Sequence, residues 1–209
     1  MTIKQRRAEI IKLLARYYPN PECALIHSNP EELLIATILS AQCTDARVNI
    51  VTEKLFKKYK TPEDFAKADL KELEQDVKPT GFYKNKAKNI KSCCQDLVSK
   101  FNSKAPKNLE DLVSLAGVGR KTANVVLGNA YGIASGVVVD THVKRLSNRL
   151  GFVKETTPEK IELKLNKLLD KSIWINFSHW LILHGRALCK SRKPQCEKCF
   201  LNDLCPKKI

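Results

Sequence analysis

Leu115-Ala116-Gly117-Val118-Gly119-Arg120-Lys121-Thr122-Ala123-Asn124 is a glycine-punctuated turn between two short segments of helical period. Before it, Leu109, Leu112, Val113 and Ala116 fall at i, i+3, i+4 and i+7, and after it Ala123, Val126, Leu127 and Ala130 repeat that spacing. Each flank has one apolar stripe, so the stretch predicts a helix, a hairpin and a second helix. Gly117 and Gly119 remove the side chains that would block a close approach, and the amides of the turn can face outward. The first amides of the second helix have no partner inside it, and with the aligned peptide dipoles they suit a phosphate. Arg120 and Lys121 add positive charge beside them. Lys121 precedes Ala123 by two positions, about 200° around a helix, and so points away from the core stripe.

The surrounding composition favours the same kind of ligand. Among 209 residues, 37 lysines and arginines against 22 acids give a formal charge of +15. Such an excess suits a polyanion, because each cation that neutralises a phosphate releases condensed counterions. No apolar run approaches membrane-spanning length and the N-terminus lacks a signal-peptide stretch, so a soluble cytoplasmic protein is expected. Of the eight cysteines, Cys189, Cys196, Cys199 and Cys205 lie close together near the C-terminus, whereas Cys23, Cys43, Cys93 and Cys94 are scattered through helical patterns. The cluster reads as a metal site in a reducing compartment and the others as core filler. Its C-x6-C-x2-C-x5-C spacing does not by itself name the metal. Four thiolates hold tetrahedral zinc or an iron-sulfur cluster.

The rest of the chain predicts helices. Residues 3 to 17 form an amphipathic helix stopped by Pro19 and Pro21, and Glu31 to Ser40 a mostly apolar one. A polar break, Ser40-Ala41-Gln42-Cys43-Thr44-Asp45, precedes a helix through Val48, Val51, Leu55 and Tyr59. Thr61-Pro62-Glu63-Asp64 has the form of a capping box with proline at the first helical position. Short helices end near Pro79-Thr80-Gly81-Phe82-Tyr83, and a long one then runs to about Phe101. Val137-Val138-Val139 is the one strand-like run and, without a partner strand, reads as a buried extended link. Asp140 starts a helix with Val143, Leu146 and Leu150 on one face, Thr157-Pro158 caps another, and Ile175 to Leu188 is apolar almost all round. The expected class is all-α.

The hairpin string, the later Val138-Val139-Asp140-Thr141-His142-Val143 and the cysteine spacing together resemble the endonuclease III family of helix-hairpin-helix DNA glycosylases, over essentially the whole chain. One departure is that the family commonly has proline where this chain has Ala116. The resemblance implies two helical domains flanking a DNA cleft. One is a six-helix barrel over about 21–131, with the helix-hairpin-helix at 108–128. The other joins 1–20 to 132–209 and carries a 4Fe-4S loop at 189–205 held by the four cysteines. It implies a bifunctional DNA glycosylase and abasic-site lyase for oxidised pyrimidines, acting as a monomer on double-stranded DNA and associated with the nucleoid. Adenine glycosylases of the superfamily typically lack the lysine and add a C-terminal domain. A catalytically silent DNA-binding hairpin module is the reading from outside enzymes.

In that resemblance Lys121 is the nucleophile and Asp140 the second catalytic residue. An amine attacks only when neutral, and the positive end of a helix and the neighbouring Arg120 both disfavour the ammonium form. The Asp140 carboxylate can accept protons and offset oxocarbenium-like charge, but aspartate before a helix is also a favoured cap. Extruding a base leaves a gap, which Gln42 and Phe82 are expected to fill; the family often has leucine at the latter position. Gly117, Val118, Gly119, Arg120, Arg145, Lys190, Arg192 and Lys193 are the remaining expected DNA contacts. His184 reads as a packed structural histidine.

Overall fold

The computed structural model describes residues 1–207, and every regular element among them is helical. In chain order these are α1 (Ile3–Tyr17), α2 (Pro30–Leu39), α3 (Asp45–Lys58), α4 (Pro62–Lys67), α5 (Leu70–Val77), α6 (Tyr83–Lys100), α7 (Leu109–Ser114), α8 (Arg120–Tyr131), α9 (Thr141–Arg149), α10 (Pro158–Leu168) and α11 (Trp174–Ala187). Single 3-10 turns occupy Lys78–Thr80, Lys171–Ile173 and Cys196–Lys198. The chain divides into two compact units, one of Cys23–Ser135 and one joining Met1–Glu22 to the chain from Gly136 onward.

In the Cys23–Ser135 unit, short polar side chains start α2, α3, α4, α5 and α7 by accepting an amide that has no partner inside the helix. Asn29 takes the amide of Glu32, Asp69 that of Glu72 and Asn108 that of Asp111, at 2.8 to 2.9 Å. Thr44 caps α3, so Asp45 is its first helical residue and not its cap. Thr61 and Asp64 close the expected box reciprocally. Helix α2 is buried from Leu33 to Leu39 and packs on α8, while α4 and α5 lie against α6. Cys93 and Cys94 are fully enclosed on α6, and burial pushes the Cys93 thiol up to about 12 and the Cys94 thiol higher still. Both stay protonated and act as small apolar filler.

The stripe before the hairpin differs from the expected one. Helix α7 ends at Ser114, and Leu115 and Val118 are buried in place of Val113, which is 43% exposed, and the half-buried Ala116. The cause is local: Leu115 N–H donates to Leu112 and Val118 N–H to Leu115, so a three-residue period aligns Leu112, Leu115 and Val118.

The second unit packs Ile10 and Leu14 of α1 with Val143 and Leu146 of α9, Ile161 and Leu165 of α10, and Phe177 and Leu181 of α11. Arginines tie α1 to the chain that follows α9. Arg6 donates to the carbonyls of Leu150 and Leu204, and Arg7 to those of Gly151 and Phe152. Residues 137–139 are an extended link with Val137 and Val139 buried, and Val137 N–H is met by Asn166 Oδ1 at 3.0 Å. Thr157 sits at the start of α10 but makes no side-chain cap, leaving Pro158 at the first turn to set the helix direction. No helix of the described residues is long and apolar enough to cross a membrane.

Candidate active site and metal centre

The two glycines of the hairpin have different reasons for being there. Gly117 has φ +77°, and a Cβ there would lie 2.8 Å from Asn89 Cβ, so both backbone angle and crowding exclude a side chain. Gly119 has φ −88° and ψ 173°, which any residue adopts, and nothing lies within 4 Å of the Cβ it lacks. Its glycine leaves open space immediately before α8. That helix starts without a side-chain cap, so its first amides meet no protein oxygen from a capping side chain. Lys121 is the second residue of α8 and exposed, as is Arg120. Val118 is 5% exposed: its side chain anchors the hairpin in the core, and only its backbone is available to a ligand.

Gln42 and Phe82 lie in the same unit on two separate loops. Both are exposed, and both hold the left-handed backbone region, at φ 53° and 49°. For residues with a side chain that conformation costs about 1–2 kcal/mol each, so the surrounding fold must impose it. Phe82, 63% exposed, is a large apolar side chain presented to solvent directly ahead of α6.

Asp140 is the N-cap of α9, with Oδ1 accepting from Val143 N–H at 2.8 Å. The cap therefore occupies Oδ1 of the carboxylate. Arg145, an expected DNA contact, is half-buried on α9. Its guanidinium donates to the carbonyls of Cys189 and Gly185, tying α9 to the first cysteine of the C-terminal cluster. Lys190, Arg192 and Lys193 are all exposed on the segment that follows.

Cys189, Cys196, Cys199 and Cys205 border one small cavity together with Leu150, Leu188 and Pro194. Burial pushes the Cys199 and Cys205 thiols up, and charge on the neighbouring thiols pushes them further. Four thiolates in this enclosure need a cationic group among them. Among the described residues no three His, Cys, Asp or Glu side chains meet closely enough to hold a single metal ion. Sulfurs spaced around a common cavity fit a multi-iron cluster, in which each thiolate binds its own iron, better than tetrahedral zinc. N–H groups are already aimed at the sulfurs. Leu201 N–H and Lys207 N–H lie 3.4 Å from Cys199 Sγ and Cys205 Sγ, and Arg149 Nη1 lies 3.6 Å from Cys189 Sγ.

Two contributors to this centre are not apparent from the sequence. Arg149 also donates to the carbonyls of Lys190 and Ser191, bracing the loop after the first ligand. Its spacing of four from Arg145, on one helix face, is the only hint in the sequence. His184 is buried as expected for a packed histidine, and burial lowers its pKa to about 4. It also bridges: Nδ1 lies 3.2 Å from the Tyr18 hydroxyl, and Nε2 lies 3.5 Å from Cys199 Sγ. With the tyrosine donating to Nδ1, the neutral ring presents its N–H to the sulfur.

Comparison with known proteins places this geometry. Residues 35–171 match the model of HhH-GPD superfamily base excision DNA repair proteins, and residues 189–205 match the iron-sulfur binding domain of endonuclease III. Endonuclease III of a Synechocystis species is 52% identical over 97% of this chain and 93% of its own. That of Bacillus subtilis is 47% identical over 90% and 86%. Among solved structures, a non-covalent endonuclease III–DNA complex superposes with TM-score 0.93 at 46% identity, covering 99% of this chain and 97% of the other. A trapped endonuclease III–DNA covalent intermediate gives the same values. The chain belongs to the endonuclease III family, and is a DNA glycosylase and abasic-site lyase that carries a 4Fe-4S cluster, with residues 189–205 as its iron-sulfur binding domain.

Proposed function

We propose that this enzyme excises oxidised pyrimidines from double-stranded DNA, with Lys121 as its nucleophile and Asp140 as its acid-base and electrostatic partner. The observation that carries the reading is the exposed amine of Lys121 on the first turn of an uncapped helix, behind a hairpin that Gly117 alone permits. The neutral amine attacks C1′ of the damaged nucleotide, the glycosidic bond breaks, and the base leaves with that electron pair and takes up a proton. Ring opening gives the Schiff base, loss of the C2′ proton moves electrons towards the 3′ carbon, and the 3′ phosphate departs. The oxygen of Asp140 that does not cap α9 accepts protons and balances positive charge on the sugar.

Backbone amides at Gly119 and the start of α8, with Arg120, take a phosphate near the lesion, while Gln42 and Phe82 enter the gap left by the extruded nucleotide. Lys190, Arg192 and Lys193 add backbone contacts from the cluster loop. The bound cluster cross-links that loop and fixes its shape. Cys23–Ser135 is the barrel domain and the remainder the cluster domain, and the enzyme works as a monomer at the nucleoid.

Borohydride reduction in the presence of a duplex with one abasic site tests the assignment. Wild type gives a covalent adduct, and Lys121→Gln abolishes it while still binding the duplex. DNA binding by wild type without any adduct identifies a silent hairpin module and ends the proposal. Asp140→Asn, which keeps a capping side chain, is expected to slow base release roughly 100-fold or more with melting temperature and DNA affinity retained. Wild-type turnover removes Asp140 from the mechanism. Duplexes carrying single damaged bases establish the lesion preference.

A further inference from the structure

Lys86, in the first turn of α6, is only 4% exposed. Its Nζ donates to the carbonyl oxygens of Leu39 and Thr80, each at 2.8 Å, and its backbone N–H donates to Phe82 O at 3.1 Å. A buried ammonium is ordinarily matched by a carboxylate, because desolvating an isolated charge is costly. Here both hydrogen-bond partners of the side chain are backbone carbonyls, and burial holds the amine below the ordinary lysine pKa.

Those two carbonyls close two different elements. Leu39 is the last residue of α2, and Thr80 the last of the 3-10 turn Lys78–Thr80. Carbonyls at such ends have no partner within the helix. Gln42 follows the first by three residues and Phe82 follows the second by two. One ammonium therefore fastens the roots of the two loops whose tips hold exposed side chains in the left-handed region.

We infer that Lys86 is a positioning residue for base extrusion, tying the Gln42 loop to the Phe82 loop so that both side chains enter the duplex gap as one rigid pair. The inference rests on the gap-filling reading of Gln42 and Phe82. With Lys86 replaced by an apolar side chain, two buried carbonyls lose their donor and the loops move independently. The consequence falls on substrates that must be opened. An abasic sugar in a single strand, unlike one extruded from a duplex, leaves no gap opposite a partner strand to fill.

The test compares Lys86→Met and Lys86→Arg with wild-type holoenzyme on one abasic site presented in a duplex and in a single strand. Lys86→Met is expected to lower kcat/KM on the duplex roughly tenfold or more and to leave borohydride trapping on the single strand within about twofold, with Lys86→Arg recovering most of the loss. In a Gln42→Ala, Phe82→Ala background the same Lys86→Met change is expected to have no further effect on the duplex, since there is then nothing left to position. Equal losses on both substrates, or an undiminished Lys86→Met effect in that background, overturn the inference and leave Lys86 a structural residue. If Gln42→Ala, Phe82→Ala alone opens the duplex as well as wild type, the gap-filling reading has failed first. Lys86→Gln, which retains a donor, goes through the same comparison, so that a folding failure of Lys86→Met still leaves a result that decides.

Discussion

At Gly117 a methyl group would stand 2.8 Å from Asn89 Cβ on a backbone already at φ +77°, whereas at Gly119 it would stand in open space. The two substitutions should therefore fail in different assays. Gly117→Ala is expected to cost about 1–3 kcal/mol in denaturant unfolding, from left-handed strain and crowding together. Gly119→Ala should cost under about 1 kcal/mol in stability, yet on the proposed phosphate contact weaken abasic-duplex binding roughly tenfold, because its methyl would stand between that phosphate and the helix amides. Equal stability losses would show that the open space has no bearing on the ligand. The sequence marks both glycines but cannot say which is there for the fold, since that depends on Asn89, far away in the chain. Lys86 is harder still to read. Among the many lysines of α6 nothing local separates the one that turns inward, because its partners are carbonyls of Leu39 and Thr80 and carry no side-chain signature.

Helices were legible where a stripe or a cap lies within a few residues. The Thr61–Asp64 box is the clearest case, since both halves of its reciprocal bonding are side chains at fixed spacing. Asp64 accepts from the amides of Lys60 and Thr61, which hold its carboxyl below the usual aspartate range. A lowered carboxyl pKa contributes stability above the unfolded value, about 3.9, and that contribution is lost as pH falls through the folded value. Hydrogen-exchange protection of the Lys60 and Thr61 amides should accordingly decline as pH falls below about 4, and Asp64→Asn should show reduced protection already at pH near 6. Protection independent of pH and of the substitution would mean that packing of Phe65, and not the box, starts α4. The stripe at α7 departs from helical period because a tightening into three-residue turns at a hairpin depends on where the chain reverses, which periodicity alone does not encode.

For the whole chain, the four cysteines announce a metal centre by spacing, while what holds it comes from distant elements: Arg145 and Arg149 on α9, His184 on α11 and Tyr18 at the end of α1. Such partners are fixed by tertiary packing and leave no local pattern. Between Cys189 and Cys205 the one regular element is the 3-10 turn Cys196–Lys198, so beyond the Arg149 contacts and the burial of Leu201 a cross-link among the cysteines would be the main restraint on the segment. Removing the cluster should leave far-ultraviolet circular dichroism nearly unchanged while making residues 190–204 the first site of limited proteolysis. Loss of most helical signal would instead mean that the cluster supports both units. The order in which the ribosome delivers the chain adds a further constraint. The partners of α1 include Leu150 and Leu204, so residues 1–22 must remain undocked while the uninterrupted Cys23–Ser135 unit that follows them is made and can fold. Closure of the second unit, and iron loading with it, thereby waits until the segment through Cys205 has been made, and a chain interrupted before Cys189 is denied both.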